Sequence, residues 1–200
     1  MKGKFIVVES NDRSGKTTIC KTLINNIPNS IYLKFPDRNG LHGKKINDYL
    51  NGFIHFEEDT IFRLFVENRN EYKDRILTWL SEGKNIICDR YSYSGAVYSY
   101  YNRNRKNSNG NLKQLINLSK HDENMPKPDI VFLIDGYFTS DMNELYDGVE
   151  HREYIYNLFK TLLDELKINY SIIENCFDMD DDRYINITIN TMLVKINNLI

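Results

Sequence analysis

An apolar run at residues 5–8 leads through Glu9 into Ser10-Asn11-Asp12-Arg13-Ser14-Gly15-Lys16-Thr17, and no other stretch constrains the fold as strongly. The octet matches G-x-x-x-x-G-K-[ST] at every position except the first, where serine stands for glycine. The flanking residues imply a strand before the loop and a helix after it, which argues against an ordinary helix start with an exposed lysine. In such a strand-loop-helix, successive backbone N–H groups and a helix N-terminus converge on phosphate oxygens. Lys16 adds a point charge at the β/γ bridge, and the Thr17 hydroxyl reaches Mg²⁺. Ser10 to Thr18 are therefore read as an ATP-binding segment. The Cβ of Ser10 either hinders backbone approach to the phosphates or is accommodated at a negative φ.

The rest of the chain alternates short β-branched runs with longer amphipathic segments. Residues 4–9, 31–35, 85–89, 130–135 and 170–173 read as strands. The clearest helical pattern covers 57–82, where Ile61, Leu64, Phe65, Ile76, Trp79 and Leu80 form a stripe and Gly83 supplies the stop. Alternation of this kind implies crossover connections, hence an α/β fold with a five-stranded parallel sheet flanked by helices on both faces. At 200 residues and 41% hydrophobic content, one domain spanning 1–200 is expected. Residues 100–111 are polar and aperiodic and read as a surface excursion.

Composition narrows the function classes. A formal net charge of -2 leaves no basic surplus for a nucleic-acid backbone, so a polynucleotide partner is not expected. No apolar stretch approaches membrane-spanning length, and three cysteines without metal spacing fit a reducing compartment, so the expected address is cytoplasmic. His42, His55, His121 and His151 are too scattered for a metal site or a catalytic dyad.

Five ordered segments carry a family resemblance. Residues Glu9 to Thr18 resemble the E-G-x-D-x-[AS]-G-K-[ST]-T opening of thymidylate kinases. Phe35-Pro36-Asp37-Arg38 is similar to F-P-x-R, and Leu64-Phe65-Val66-Glu67-Asn68-Arg69 to L-F-x-A-N-R. Asp89-Arg90-Tyr91-Ser92-Tyr93-Ser94-Gly95 is similar to D-R-Y-x-x-S-G, and Pro126-Lys127-Pro128-Asp129 to P-K-P-D. The resemblance implies transfer of the γ-phosphate of ATP to dTMP with Mg²⁺, and a homodimer. It implies that Arg13, Lys16, Asp89 and Arg90 are catalytic, and that Thr17 and Asp89 serve the metal. Arg38 and Arg90 would grip the acceptor phosphate, which suits a planar guanidinium fork. Phe65 would stack on the base, Arg69 would reach a base carbonyl, and Ser94 with Tyr98 would form the far wall. Phe35 and Gly95 complete the expected acceptor site. Asp12 would accept from the sugar 3′-OH, and Tyr146 is similar to a lid tyrosine in an expected lid at about 136–150.

Blander readings stand beside these: Arg38 as a solvated loop cation, Phe65 as core, and Asp89 as a strand-terminal cap. Ser10, Gly40, Glu67 and Asn70 depart from the family pattern. Two other functions keep the same fold: a kinase for a different nucleoside or nucleotide, and a catalytically weak nucleotide-binding protein. A nucleoside kinase needs a base for a neutral hydroxyl, whereas Arg38 with Arg90 suits an already ionised acceptor.

Overall fold

β1 (Phe5–Ser10) is buried along its whole length, as expected of a central parallel strand covered on both faces. In the computed structural model, which describes residues 2–12, 14–105, 110–136, 149–174 and 182–199, β1 is the middle of a five-stranded sheet. The other strands are β2 (Ser30–Lys34), β3 (Asn85–Asp89), β4 (Ile130–Asp135) and β5 (Tyr170–Glu174). Their order is β2-β3-β1-β4-β5, and every neighbouring pair is parallel. Chain connections leave β1 toward β2 on one side and later cross to β4 on the other. The carboxyl end of β1 is thus the place where loops diverge and ligands of open α/β sheets bind.

The pleat sorts the apolar residues. Phe5, Val7, Leu33, Cys88, Val131 and Leu133 face one layer, and Ile6, Val8, Ile87, Phe132, Ile134 and Ile173 face the other. The second layer is covered by α1 (Lys16–Asn26), through Ile19, Cys20 and Leu23, and by α8 (Asp182–Asn197), through Ile189, Met192 and Ile196. The first layer packs on α3 (Glu58–Asn70), α4 (Lys73–Ser81), α5 (Ser92–Asn104), α6 (Leu112–Ser119) and α7 (Val149–Glu165). A short α2 (Gly43–Leu50) packs on α3.

Two local expectations need correction. The 57–82 pattern is not one helix: it divides at Glu71 and Tyr72 into α3 and α4. Tyr72 N bonds the Arg69 carbonyl at 3.0 Å, a tightened i to i−3 turn that redirects the chain. The apolar stripe runs on through both pieces, which is why the sequence reads as continuous. The excursion expected over 100–111 does not begin at residue 100: α5 continues to Asn104 with Tyr100 and Tyr101 buried in the core, and residues 106–109 lie outside the described residues.

Candidate active site

The sheet register builds one half of the site. Lys34 and Asp89 are direct neighbours at the ends of β2 and β3, so their side chains emerge on the same face, above the start of α1. There Thr17 Oγ1 donates to Asp89 Oδ2 at 2.7 Å, Tyr32 donates to the same oxygen at 3.1 Å, and the Lys34 ammonium lies 3.6 Å from it. Asp89 is 1% exposed. A buried carboxylate paired with a hydroxyl at the foot of a phosphate loop, already attracting an ammonium, suits a divalent cation that takes its other ligands from phosphates and water. The described residues contain no cluster of three or more His, Cys, Asp or Glu that could hold a metal by themselves.

The phosphate loop closes over Lys16. Gly15 has φ 75°, the left-handed conformation that only glycine adopts without strain, and it turns the chain into α1. Ser10 is not among the residues with positive φ, so a side chain is accommodated there. Its hydroxyl accepts from Lys16 Nζ at 2.7 Å and pairs with the Ser14 hydroxyl, while Lys16 also donates to the Asn11 carbonyl at 2.5 Å. Burial, with Arg90 adding repulsion, brings the Lys16 pKa down to about 7; Asp12, Asp89 and Glu9 offset this only partly. Polyphosphate oxygens beside this ammonium raise its pKa again. ATP binding at pH 8 is therefore expected to take up protons, approaching roughly one per site, and to take up fewer as pH falls below 7. Calorimetric titrations in buffers of different ionisation enthalpy measure the uptake, and zero uptake at pH 8 would contradict it.

Arg90 ties the loop to α5. Its backbone is left-handed at φ 68°, a conformation that costs a non-glycine residue about 1–3 kcal/mol and persists where the surroundings over-determine it. Here Arg90 N donates to the Val8 carbonyl at 3.0 Å, and the next residue, Tyr91, donates its N–H to Glu9 Oε1 at 2.9 Å. The guanidinium pairs with Asp12, donates to Ser94 Oγ at 3.1 Å and the Ser10 carbonyl at 3.3 Å, and lies 5.2 Å from the Tyr98 ring centre. Burial pushes the Asp12 pKa up, but Arg90 and Lys16 outweigh it and hold this carboxyl below the usual range. Glu9 is fully buried and its pKa is raised by that burial, although it accepts from Tyr91 N, from Ser94 N at 3.1 Å and from Ser94 Oγ at 2.5 Å. Ser94, expected on the far wall, links Glu9 to Arg90.

A second anchored segment carries Arg38. Phe35 follows β2, its peptide to Pro36 is cis, and its ring is 2% exposed against Tyr72 and Tyr91. Expected to line the acceptor site, Phe35 is core, because it faces the layer opposite Lys34. The loop beyond it is held by the end of α3. Asn68 accepts from Asp37 N at 2.8 Å and donates to the Asp37 carbonyl at 2.9 Å, and Tyr72 donates to Asp37 Oδ2 at 2.6 Å. Glu71 accepts from Leu41 N, His42 N and His42 Nδ1 at 2.9, 3.1 and 2.6 Å. A Cβ on Gly40 would stand 2.5 Å from Glu71 Oε2, so this departure from the family pattern accompanies the Glu71 clamp. Arg38 itself is exposed and donates to Asn47 of α2 at 3.0 Å.

On α3, Phe65 is half-buried and belongs to neither core layer. Arg69 is 3% exposed and engages Asp122 through two bonds, Nε to Oδ1 at 2.9 Å and Nη2 to Oδ2 at 2.7 Å. Arg69, expected to reach a base carbonyl, spends Nε and Nη2 on this carboxylate, leaving Nη1 as the other terminal nitrogen. Gly95 packs against the guanidinium, where a Cβ would come within 2.8 Å of both terminal nitrogens. Asp122, Asn68, Glu71 and Lys34 were not foreseen as site residues. Asn68 lay inside a quoted motif; Asp122 and Lys34 carried no local signal. Arg13, Tyr146 and most of the 136–150 lid lie outside the described residues. Asn11 Nδ2 donates to the Arg152 carbonyl at 3.0 Å, connecting the phosphate loop with the first turns of α7.

A parallel sheet with a glycine-lysine-threonine loop at the end of its central strand, faced by Asp89 and Arg90, defines a P-loop phosphotransferase. The thymidylate kinase family model matches residues 8–175. The thymidylate kinase of Candida albicans, a structure described as revealing the origin of broad substrate specificity, is 27% identical with TM-score 0.77, over 98% of this chain and 92% of that one. The thymidylate kinase of Ehrlichia chaffeensis shares the fold at 20% identity and TM-score 0.69, over 96% of this chain and 100% of that one. The chain belongs to the thymidylate kinase family, and its reaction is the phosphorylation of dTMP. No helix among the described residues is long and apolar enough to cross a membrane.

Proposed function

We propose that ATP is the donor, that Mg²⁺ accompanies it, and that the residues divide as follows. Residues 10–18 cradle the donor phosphates with Lys16 as their point charge, and Thr17 and Asp89 would hold a divalent cation, which would supply positive charge to the donor phosphates. Arg90, fixed by Asp12, Ser94 and the Ser10 carbonyl, holds the acceptor phosphate from the sheet side, and Arg38 swings from Asn47 to hold it from the loop side. Phe65 presents its ring to the base, and the Nη1 edge of Arg69 faces a base carbonyl. Asp12 and Tyr98 border the sugar, and Tyr146 belongs to the lid. The observation that carries this reading is the Arg90 network, since it places a guanidinium between the phosphate loop and α5 at the carboxyl end of the sheet. The family resemblance adds a homodimer and a cytoplasmic address, which light scattering and cell fractionation check.

With ATP and Mg²⁺ and a panel of nucleoside monophosphates, a coupled ADP-release assay is expected to give dTMP the highest kcat/KM. Should dCMP, UMP or AMP exceed it, the acceptor assignment fails. Arg38→Ala is expected to lower kcat/KM for dTMP by ~10²-fold or more, as losing a charge-assisted contact of about 3 kcal/mol would. Because Arg38 is exposed, the fold should be unaffected, and an unchanged kcat/KM would leave Arg38 a solvated loop cation.

A further inference from the structure

The Lys34 ammonium stands on the two groups that the proposed function gives to the divalent cation. Its Nζ is 3.2 Å from Thr17 Oγ1 and 3.6 Å from Asp89 Oδ2, and those two oxygens are 2.7 Å from each other. The placement is not a chance surface contact, because the strand register sets Lys34 directly beside Asp89 at the ends of adjacent parallel strands. Lys34 also ends β2, so that the chain turns straight into the segment carrying Arg38. Phe35 faces the opposite layer and is buried there, which fixes Lys34 on the α1 side. The lysine side chain is half-exposed while Asp89 is buried, so the ammonium is the partner able to move and the carboxylate is the fixed one. A divalent cation on this carboxylate would stand within about 4 Å of the ammonium, and like charges at that separation repel.

We propose that Lys34 is a built-in competitor for the divalent-cation position, so that metal reaches Asp89 and Thr17 efficiently only when nucleotide phosphates bring it. A metal ion carried by polyphosphate adds its own ligands and displaces a flexible ammonium; a hydrated ion alone must displace the lysine without that help. The displaced Lys34 stays near the transferring group, on a four-carbon stem whose charged end follows the nearest anion. This inference rests on the assignment of Thr17 and Asp89 to the metal, and its test separates the two.

Mn²⁺ binding to the full chain, followed by electron paramagnetic resonance with and without a non-hydrolysable ATP analogue, is the measurement. Lys34→Met is expected to bind Mn²⁺ about tenfold or more tightly than the parent chain without nucleotide, and to show a smaller gain with it. Lys34→Arg, which keeps the charge, should stay near the parent value. Lys84→Met, which neutralises a lysine paired with Glu82 just before β3, at the amino end of the strands, should also leave it unchanged and so exclude a general charge effect. Equal Mn²⁺ affinity in Lys34→Met and the parent overturns the proposal, as does a gain matched by Lys84→Met. Loss of analogue binding in Lys34→Met without metal overturns it too, because Lys34 would then be a phosphate ligand. Asp89→Asn in the Lys34→Met background tests the underlying assignment: if it keeps the tightened Mn²⁺ binding, the metal does not use Asp89.

Discussion

Asp122→Ala is expected to destabilise the fold by about 3–5 kcal/mol, the cost of leaving a buried charge without its partner. Arg69 and Asp122 are 3% and 7% exposed and meet through two hydrogen bonds, so removal of the carboxylate strands a guanidinium between α3, α5 and the turn after α6. For a chain of this length each kcal/mol moves Tm by about 2–4 °C, so a fall of about 6–20 °C should be seen by calorimetry. The double change Arg69→Met with Asp122→Leu should recover much of that loss, since apolar groups of similar size remove the stranded charge. It should not recover dTMP binding if the Nη1 edge of Arg69 faces the base. A Tm within about 2 °C of the parent for Asp122→Ala would mean that water reaches the pair and that its burial carries little energy.

The second large effect concerns the transferring phosphoryl group. Residues 135–150, the expected lid, contain no Lys or Arg, whereas the phosphate loop contains Arg13. Some thymidylate kinases carry the catalytic arginine in the phosphate loop and others in the lid, and this chain resembles the first kind. Arginine in that role contributes ~10³ to 10⁵ in kcat in arginine-finger systems, and under the proposed roles Lys16 and a divalent cation would share that stabilisation. Arg13→Ala is accordingly expected to cut kcat by ~10²-fold or more while the ATP dissociation constant moves by roughly tenfold at most, as for an interaction that strengthens mainly in the transition state. Single-turnover kinetics beside direct ATP binding measure both quantities. Arg152 is the informative comparator, because it is the first cation after the lid and its carbonyl is held by Asn11. If Arg152→Ala takes the larger toll on kcat and Arg13→Ala only weakens ATP binding, the catalytic cation comes from α7.

What the sequence determined by itself is local and periodic. Strands 85–89 and 130–135 match β3 and β4 residue for residue, because short β-branched apolar runs such as Ile86-Ile87-Cys88 and Val131-Phe132-Leu133 suit strands buried on both faces. The phosphate loop was legible because its chemistry is carried by neighbouring residues, from the left-handed Gly15 to Lys16 and Thr17. The motifs around Arg38, Arg69 and Arg90 singled out three segments. They did not say what each guanidinium touches. Tertiary structure decided that Arg69 is committed to Asp122, 53 residues away, that Phe35 is core, and that Ser94 links Glu9 to Arg90. It also decided the break at Glu71, whose carboxylate is drawn to Leu41 and His42, and the seating of Lys34 on Asp89. The reason is that a one-dimensional pattern encodes which face a residue shows, through periods of 2 and 3.6, whereas ion pairs and clamps depend on which distant element packs there, and that follows only from sheet order and register.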